Sequence, residues 1–474
     1  MSILQNSLDG LRWKTPKIPN MVSKCTTVSA SSLPCKPRRY AVLGAGFAGI
    51  SVAWHLLQHC SKTSLMWIDI YDEIGLGGAA SGVSGGLLHP YSPKGKLLWN
   101  GKECWEEALK LLTVAEAAAN TELQRAERSS ANKQHIFAEP IVWRRGILRT
   151  VLDAKNINDT SKSAHVSLPN CKISYINGVE ARELLPGMLP PSDFSLYMPQ
   201  AVNIHPGRYL QALFMACQKE ARTWSAEGCS GTEVSLHKRN INSLLELSGE
   251  YDAVIVCLGA KASLLPELAG KLPLSTCRGV IAHLELSSAD RDTYGNERPC
   301  ILSSAWLATQ GPRKILIGAT KEWNSSNMSS DVSKEEASLA LEKLLPKVSA
   351  IYPPIQNWMV LGYQAGVRAM PPRTFLGALP ILGCIDDFVI EYMQKDKPTE
   401  KKNYHTPHQK TIPKYWFVGG LGSRGLIYHA WLGKMIAKAV TSGNKHILPI
   451  QLTSWMPSNR RFKLYVNHQS ALKY

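Results

Sequence analysis

The stretch RYAVLGAGFAGISVAWHLLQHC, residues 39–60, constrains the fold more than any other part of the chain. It reads as strand, glycine turn and helix. Tyr40 to Leu43 is a short apolar run of the kind buried in a parallel sheet. Gly44, Gly46 and Gly49 then spell GxGxxG. In that pattern the first glycine allows a tight turn, the second lets backbone approach a pyrophosphate, and the third lets the helix close on the strand. Phe47 and Ala48 open the helix, whose free amides and positive dipole end face the phosphates. Apolar residues at 50, 53, 54 and 57 give the helix one buried face. A second strand follows in SLMWIDIYDE. Asp72 stands near its end, 28 residues after Gly44, where a carboxylate accepts hydrogen bonds from ribose hydroxyls. Asp69 is the competing acid, but its parity points it to the other side of the strand. This unit is expected to bind a dinucleotide.

The next segment selects the dinucleotide. GLGGAASGVSGGLLHPYSP, residues 75–93, is glycine-rich and follows the ribose acid directly. Its backbone wraps a ligand with no side chains in the way. An NAD enzyme of this fold does not need such a loop, so the cofactor is expected to be FAD. Ser81 and Ser84 are placed to donate to the pyrophosphate, with Gly85 beside them. His89 and Tyr91 leave the loop near the expected ring system, either packing on it or forming plain loop.

From here the chain resembles the FAD-dependent D-amino-acid oxidase superfamily, which includes glycine and sarcosine oxidases. The resemblance covers roughly residues 39–442 and rests on motifs in order. After the two glycine segments come AVNIHPGRYLQAL (201–213), YDAVIVCLGAKA (251–262), LPLSTCRGVIAHLEL (272–286), ILIGAT (315–320), GVRAMPPRTFLGALPILG (366–383) and WFVGGLGSRGLIYHAWLGKMIAKAV (416–440). GGLGSRGL most resembles the C-terminal FAD domain of the bacterial bifunctional enzymes that make 5-methylaminomethyl-2-thiouridine at tRNA wobble positions. In that family the FAD domain oxidatively removes a carboxymethyl group. No methyltransferase partner is visible in this sequence, so the resemblance implies a stand-alone FAD domain.

The resemblance implies an α/β fold: a Rossmann-like FAD-binding domain interleaved with an α+β substrate domain. The FAD domain would collect residues 39–94, 200–262 and 371–445, and the substrate domain 95–199 and 263–370. A long helix is visible at 104–127, where Trp105, Leu109, Leu112 and Ala115 recur at helical spacing. The polar stretch 393–414 reads as an exposed loop, and 446–474 as a basic peripheral tail.

Site residues follow from the same resemblance. Gly259 lies in the turn near the flavin. Arg368 follows the GxR pattern that holds the substrate carboxylate in amino acid oxidases, a task suited to the planar guanidinium fork. The chain departs from the family after it, with Pro371, Pro372 and Arg373, so Arg373 is a rival. Gly420, Gly422 and Gly425 form a second glycine turn, and Arg424 stands within it before an apolar helix. That helix N-terminus stabilises negative charge at the pyrimidine end of the flavin, and Arg424 adds to it or touches substrate. Cys384 raises a covalent flavin link; buried cysteine is commoner, so FAD is expected to be non-covalent.

Composition adds limits. The 474 residues are 44% hydrophobic and 19% charged, which is globular composition. No apolar run approaches the ~18 residues that span a bilayer. The net charge is +17, and +11 of it lies beyond residue 39. A basic body attracts RNA phosphates, and many organellar enzymes are simply basic. The first 38 residues are basic, rich in Ser and Thr, and hold one acid. They match an organellar transit peptide (plastid or mitochondrion), with a disordered extension of a cytoplasmic protein as the alternative. Eleven cysteines form no CxxC pair and no metal-ligand spacing, so free buried thiols and no metal are expected.

Three functions remain open on the sequence. One is oxidation of a C–N bond in an N-substituted glycine on a tRNA wobble uridine. The second is a small-molecule amine oxidase acting on glycine, sarcosine or a D-amino acid. The third is a non-enzymatic FAD-binding assembly factor. Oligomeric state and electron acceptor are not legible.

Overall fold

The strand expected at Tyr40–Leu43 spans Arg38–Leu43 and lies inside a six-stranded sheet. The computed structural model describes residues 37–60, 65–128, 136–150, 167–226, 231–288, 290, 298–395 and 412–457. The sheet order is Ile381–Cys384, Lys414–Gly419, Ala253–Val256, Arg38–Leu43, Met66–Asp72, Glu233–Lys238. All neighbours are parallel except the first pair. Both faces are covered, as a parallel sheet requires. Tyr40 and Val42 pack with Ile50, Leu56 and Leu210, while Ala41 and Leu43 pack with Leu244, Leu265 and Phe388. Strand parity alone sends alternate residues to the two cores.

A second sheet of nine strands runs Glu322–Trp323, Ser275–Glu285, Lys314–Gly318, Trp306–Thr309, Cys300–Leu302, Ile147–Thr150, Phe194–Met198, Ser174–Asn177, with Met359–Met370 also on Ser275–Glu285. Its core includes Leu148, Leu284, Ile301, Leu307 and Ile317, covered by Leu344 and Val348 of the helix Lys334–Ser349. The strands of the first sheet thus come from 38–72, 233–256 and 381–419, and those of the second from 147–198 and 275–370. Pro37–Tyr474 forms one compact unit.

Two boundaries differ from expectation. The long helix, Gly101–Arg128, lies in the range 95–199 expected on the substrate side. Instead it packs on the helices Pro206–Ala226 and Gly425–Ser442 beside the parallel sheet. Its Trp105, Leu111, Leu112 and Ala115 join the core of Val42 and Ile50. Lys434 Nζ donates to Glu107 Oε2 at 2.8 Å and ties the pair. Apolar spacing defines a buried stripe but not the partner that buries it. The tail also begins later than 446. Leu448, Leu452 and Met456 are buried, and Trp455 Nε1 donates to the Leu382 carbonyl at 2.8 Å. The first 36 residues, most of the 393–414 stretch and residues 458–474 lie outside the described residues.

Candidate active site

The carboxyl ends of the parallel strands bring the first glycine turn together. Gly44 has φ +104°, and a Cβ there would lie 2.5 Å from the Cys257 carbonyl oxygen. A Cβ on Gly49 would meet the Gly44 carbonyl oxygen at 1.8 Å, so the helix Phe47–His59 seats on the turn only with glycine there. Phe47 contributes its amide, which donates to Ser81 Oγ at 3.1 Å. Its ring is buried against His429, with ring centres 5.3 Å apart. Ala48 is buried too and offers only backbone. Gly46 faces Ser81, whose Oγ would lie 2.7 Å from a Cβ at that position.

Asp72 organises this corner. Its Oδ2 accepts from the Ala45 amide at 2.8 Å, and its Oδ1 from the amides of Ile74 and Gly75 at 2.9 and 2.8 Å. The carboxylate locks the turn to the following loop and keeps acceptor capacity, since two oxygens offer about four sites. Asp69 is engaged elsewhere, with His237 Nε2 at 2.8 Å and the Tyr251 hydroxyl at 2.9 Å.

The glycine-rich loop folds back over the turn. Gly77 N donates to the Ala45 carbonyl at 3.0 Å. Asn203 Nδ2 donates to the Gly85 carbonyl at 2.8 Å and pins the far end. Gly85 also admits the Trp306 ring, 2.9 Å from where a Cβ would stand. Ser84 Oγ is buried with no hydrogen-bond partner among the described residues. Gly259 has φ +58° and no atom within 4 Å of a Cβ position, so open space faces it.

The second glycine turn closes the other side. Gly420 and Gly422 have φ +66° and +55°, and Gly422 N donates to the Ala369 carbonyl at 2.9 Å. Gly425 begins the helix Gly425–Ser442, and a Cβ there would lie 3.5 Å from the Phe47 ring. The two helix N-termini are therefore neighbours, and their positive ends converge.

Arg368 lies on Met359–Met370 opposite Cys277. Gly366, two residues before it on the same face, packs against Ala80 and Val83 of the glycine-rich loop. Met370, two residues after it, touches Gly422. Arg368 thus stands between the two glycine segments. Its Nη2 reaches Cys277 Sγ at 3.3 Å and the Thr320 carbonyl at 3.4 Å. Arg373 is exposed on the hairpin Arg373–Thr374/Gly377–Ala378.

Arg424 caps the second helix, beside two residues whose part sequence reasoning did not foresee in full. Arg149, on Ile147–Thr150, brings Nη2 to 3.3 Å from His89 Nε2. Burial first, then the charges of Arg149 and Arg424, lower the His89 pKa to about 3. Burial and Arg424 lower that of Arg149 to about 10. Arg149 carried no signal, because RTVLD reads as an ordinary strand end. Tyr91 holds a loop: its hydroxyl donates to the Cys171 carbonyl and accepts from Leu168 N at 2.9 Å. Cys384 pairs with Trp416, three residues before the cofactor end of its neighbour at Gly419, or about 10 Å of strand away. Burial pushes its thiol up to about 11.

The residues present fit FAD. The turn is closed to side chains, the acid stands at the second strand, Ser84 Oγ lacks a partner, and Gly259 faces open space. The fold and the site together define a flavin-dependent oxidoreductase. The family model described as FAD-dependent oxidoreductase matches residues 39–439, and the chain belongs to that family. The tRNA 5-methylaminomethyl-2-thiouridine biosynthesis bifunctional protein MnmC of Leptospira borgpetersenii is 29% identical over 203 residues, 40% of this chain and 28% of that protein. The chain therefore matches under a third of that relative's length. The putative thiamine biosynthesis oxidoreductase ThiO of Rhizobium etli is 24% identical over 339 residues, 70% of this chain and 85% of that protein. Among solved structures, L-proline dehydrogenase from P. horikoshii superposes with TM-score 0.63 at 14% identity, covering 89% of this chain and 98% of that one. Glycine oxidase from Geobacillus kaustophilus gives 0.57 at 15%, covering 85% and 95%. These two share the fold.

Proposed function

We propose that the chain oxidises the C–N bond of an amine that carries a carboxylate, in the form of an N-carboxymethyl group on a tRNA wobble uridine. The observation behind this reading is the arrangement of Arg368 and Arg424 about the second glycine turn, linked through the Ala369 carbonyl and Gly422 N. Cations there favour a substrate anion. The similarity to MnmC points to the uridine, and the basic body suits RNA phosphates.

When bound, FAD accepts the two electrons and one hydrogen of the substrate carbon as hydride. The chain's own residues bind and orient. The arginines fix the carboxylate, so the adjacent methylene presents one C–H. The two helix N-termini stabilise negative charge that gathers at the flavin end of the site. The amine nitrogen loses its proton to water. The resulting imine adds water and releases glyoxylate, leaving the primary amine on the uridine.

The test is anaerobic bleaching of the flavin band by tRNA carrying carboxymethylaminomethyluridine, against free glycine, sarcosine and D-alanine. Bleaching by the tRNA alone, with one glyoxylate per flavin reduced, is expected. Its affinity should fall at least tenfold between 50 and 200 mM salt, on the order expected for several phosphate contacts. Bleaching by a free amino acid instead would make the chain a small-molecule oxidase, the reading that similarity to ThiO over 85% of that protein favours.

A further inference from the structure

We propose that Arg149 completes the anion subsite that Arg424 and Arg368 line, and donates to the carboxylate of the substrate. The inference rests on the reading above and assigns its anion subsite.

Arg149 is short of acceptors. Its Nε is buried with no hydrogen-bond partner among the described residues. Its Nη2 faces His89 Nε2 at 3.3 Å, but His89 Nδ1 already faces the Tyr91 amide at 3.2 Å. A neutral imidazole has one acceptor nitrogen, so two N–H groups compete for one lone pair. Protonating the ring would remove even that one. The His89 pKa near 3 keeps the ring neutral at working pH. Arg424 adds a second positive charge to the same cluster, and no carboxylate acts on Arg149 or His89 among the described residues.

A buried guanidinium without a counter-ion is costly, and a second cation beside it adds to the cost. A carboxylate relieves both conditions together. It supplies acceptors to Arg149 Nε and Nη2 as a bidentate pair and balances the charge of Arg424. Arg368 is in a different state. Its Nη2 already has the Cys277 sulfur and the Thr320 carbonyl within 3.4 Å. The pair also lies on the expected side of the site. Arg424 opens the helix at the second glycine turn, and His89 leaves the glycine-rich loop just past Leu87–Leu88. The subsite selects substrates with a free carboxylate and rejects the matching esters and amides.

The test uses the flavin-loaded protein and equilibrium binding rather than turnover. Benzoate and benzamide are titrated while the visible flavin band is followed. Benzoate should perturb the band, and benzamide should bind at least tenfold more weakly. Arg149→Gln should weaken benzoate at least tenfold, and Arg149→Lys should recover part of the loss. Flavin-to-protein ratio and circular dichroism establish that each variant is folded and loaded; if Arg149→Gln is not, Arg149→Lys and the amide comparison decide. Unchanged benzoate binding in the Arg149 variants overturns the assignment. A parent protein that ignores benzoate overturns it too. Failure of amines to bleach the flavin would overturn the oxidation reading instead, so the two are separable.

Discussion

At the scale of single residues, the site is built from backbone that a few side chains hold in place. Asp72 shows this most clearly. Three amides, those of Ala45, Ile74 and Gly75, converge on its two oxygens. Asp72→Asn replaces one acceptor oxygen with an N–H donor that faces amide donors. Leaving a partly buried donor unpaired costs about 1–3 kcal/mol. The variant should melt several degrees lower and retain less than half the flavin per chain after gel filtration, as read from the 450 to 280 nm absorbance ratio. The position was legible, because strand parity and distance from Gly44 single it out. Its partners were not, because they belong to a turn whose path depends on the loop after Gly75. Arg149 was not legible at all. It becomes a site residue only because Ile147–Thr150 runs into the space behind His89.

At the scale of elements, glycines decide how closely helices and strands approach. The helices Phe47–His59 and Gly425–Ser442 cross with Gly433 against Ser51, where a Cβ would come within 2.8 Å of the Ser51 backbone. Their first residues, Phe47 and Gly425, are also in contact. The two glycine turns are thus one structure, although 376 residues separate Gly44 from Gly420. Gly49→Ala tests its rigidity. The added methyl would lie 1.8 Å from the Gly44 oxygen, a backbone atom that cannot swing away. Strain of this kind costs about 1–3 kcal/mol or more. The variant should be largely insoluble or flavin-free, and urea unfolding of any soluble fraction should show a lower midpoint with an unchanged slope. GxGxxG followed by an apolar helical face made the element legible. The packing partner of Gly101–Arg128 was not legible, since a buried stripe carries no address.

At the scale of the molecule, the cofactor core encloses histidines that stay neutral. Burial lowers the pKa of His55 to about 3 and of His429 to about 4. His429 is locked in place by the Tyr209 hydroxyl and the Leu426 carbonyl, each at 2.8 Å. In the unfolded chain both titrate near the ordinary 6.5. Between those values the unfolded state binds more protons, so stability rises with pH. It is fully present above pH 6.5 and is lost as pH falls from 6.5 toward 4. The slope is about 1.4 kcal/mol per pH unit for each histidine. The melting temperature should therefore drop by several degrees between pH 7.5 and 5, and His55→Gln should flatten that dependence. A profile flat over this range in the parent would contradict the assignment.

Some properties of this protein were set by local sequence alone. The strand, glycine turn and helix at 38–59 depend on neighbours in the chain, as do Asp72 and the glycine-rich loop after it. Steric rules over a few residues are enough to specify them. The convergence of distant segments was decided only in three dimensions. Trp306 fills the space that Gly85 leaves, Arg149 meets His89 and Arg424, and Arg368 spends its guanidinium on Cys277 and Thr320. The charge a buried group must balance depends on every element packed around it. That sum exists only once the two sheets have closed on each other.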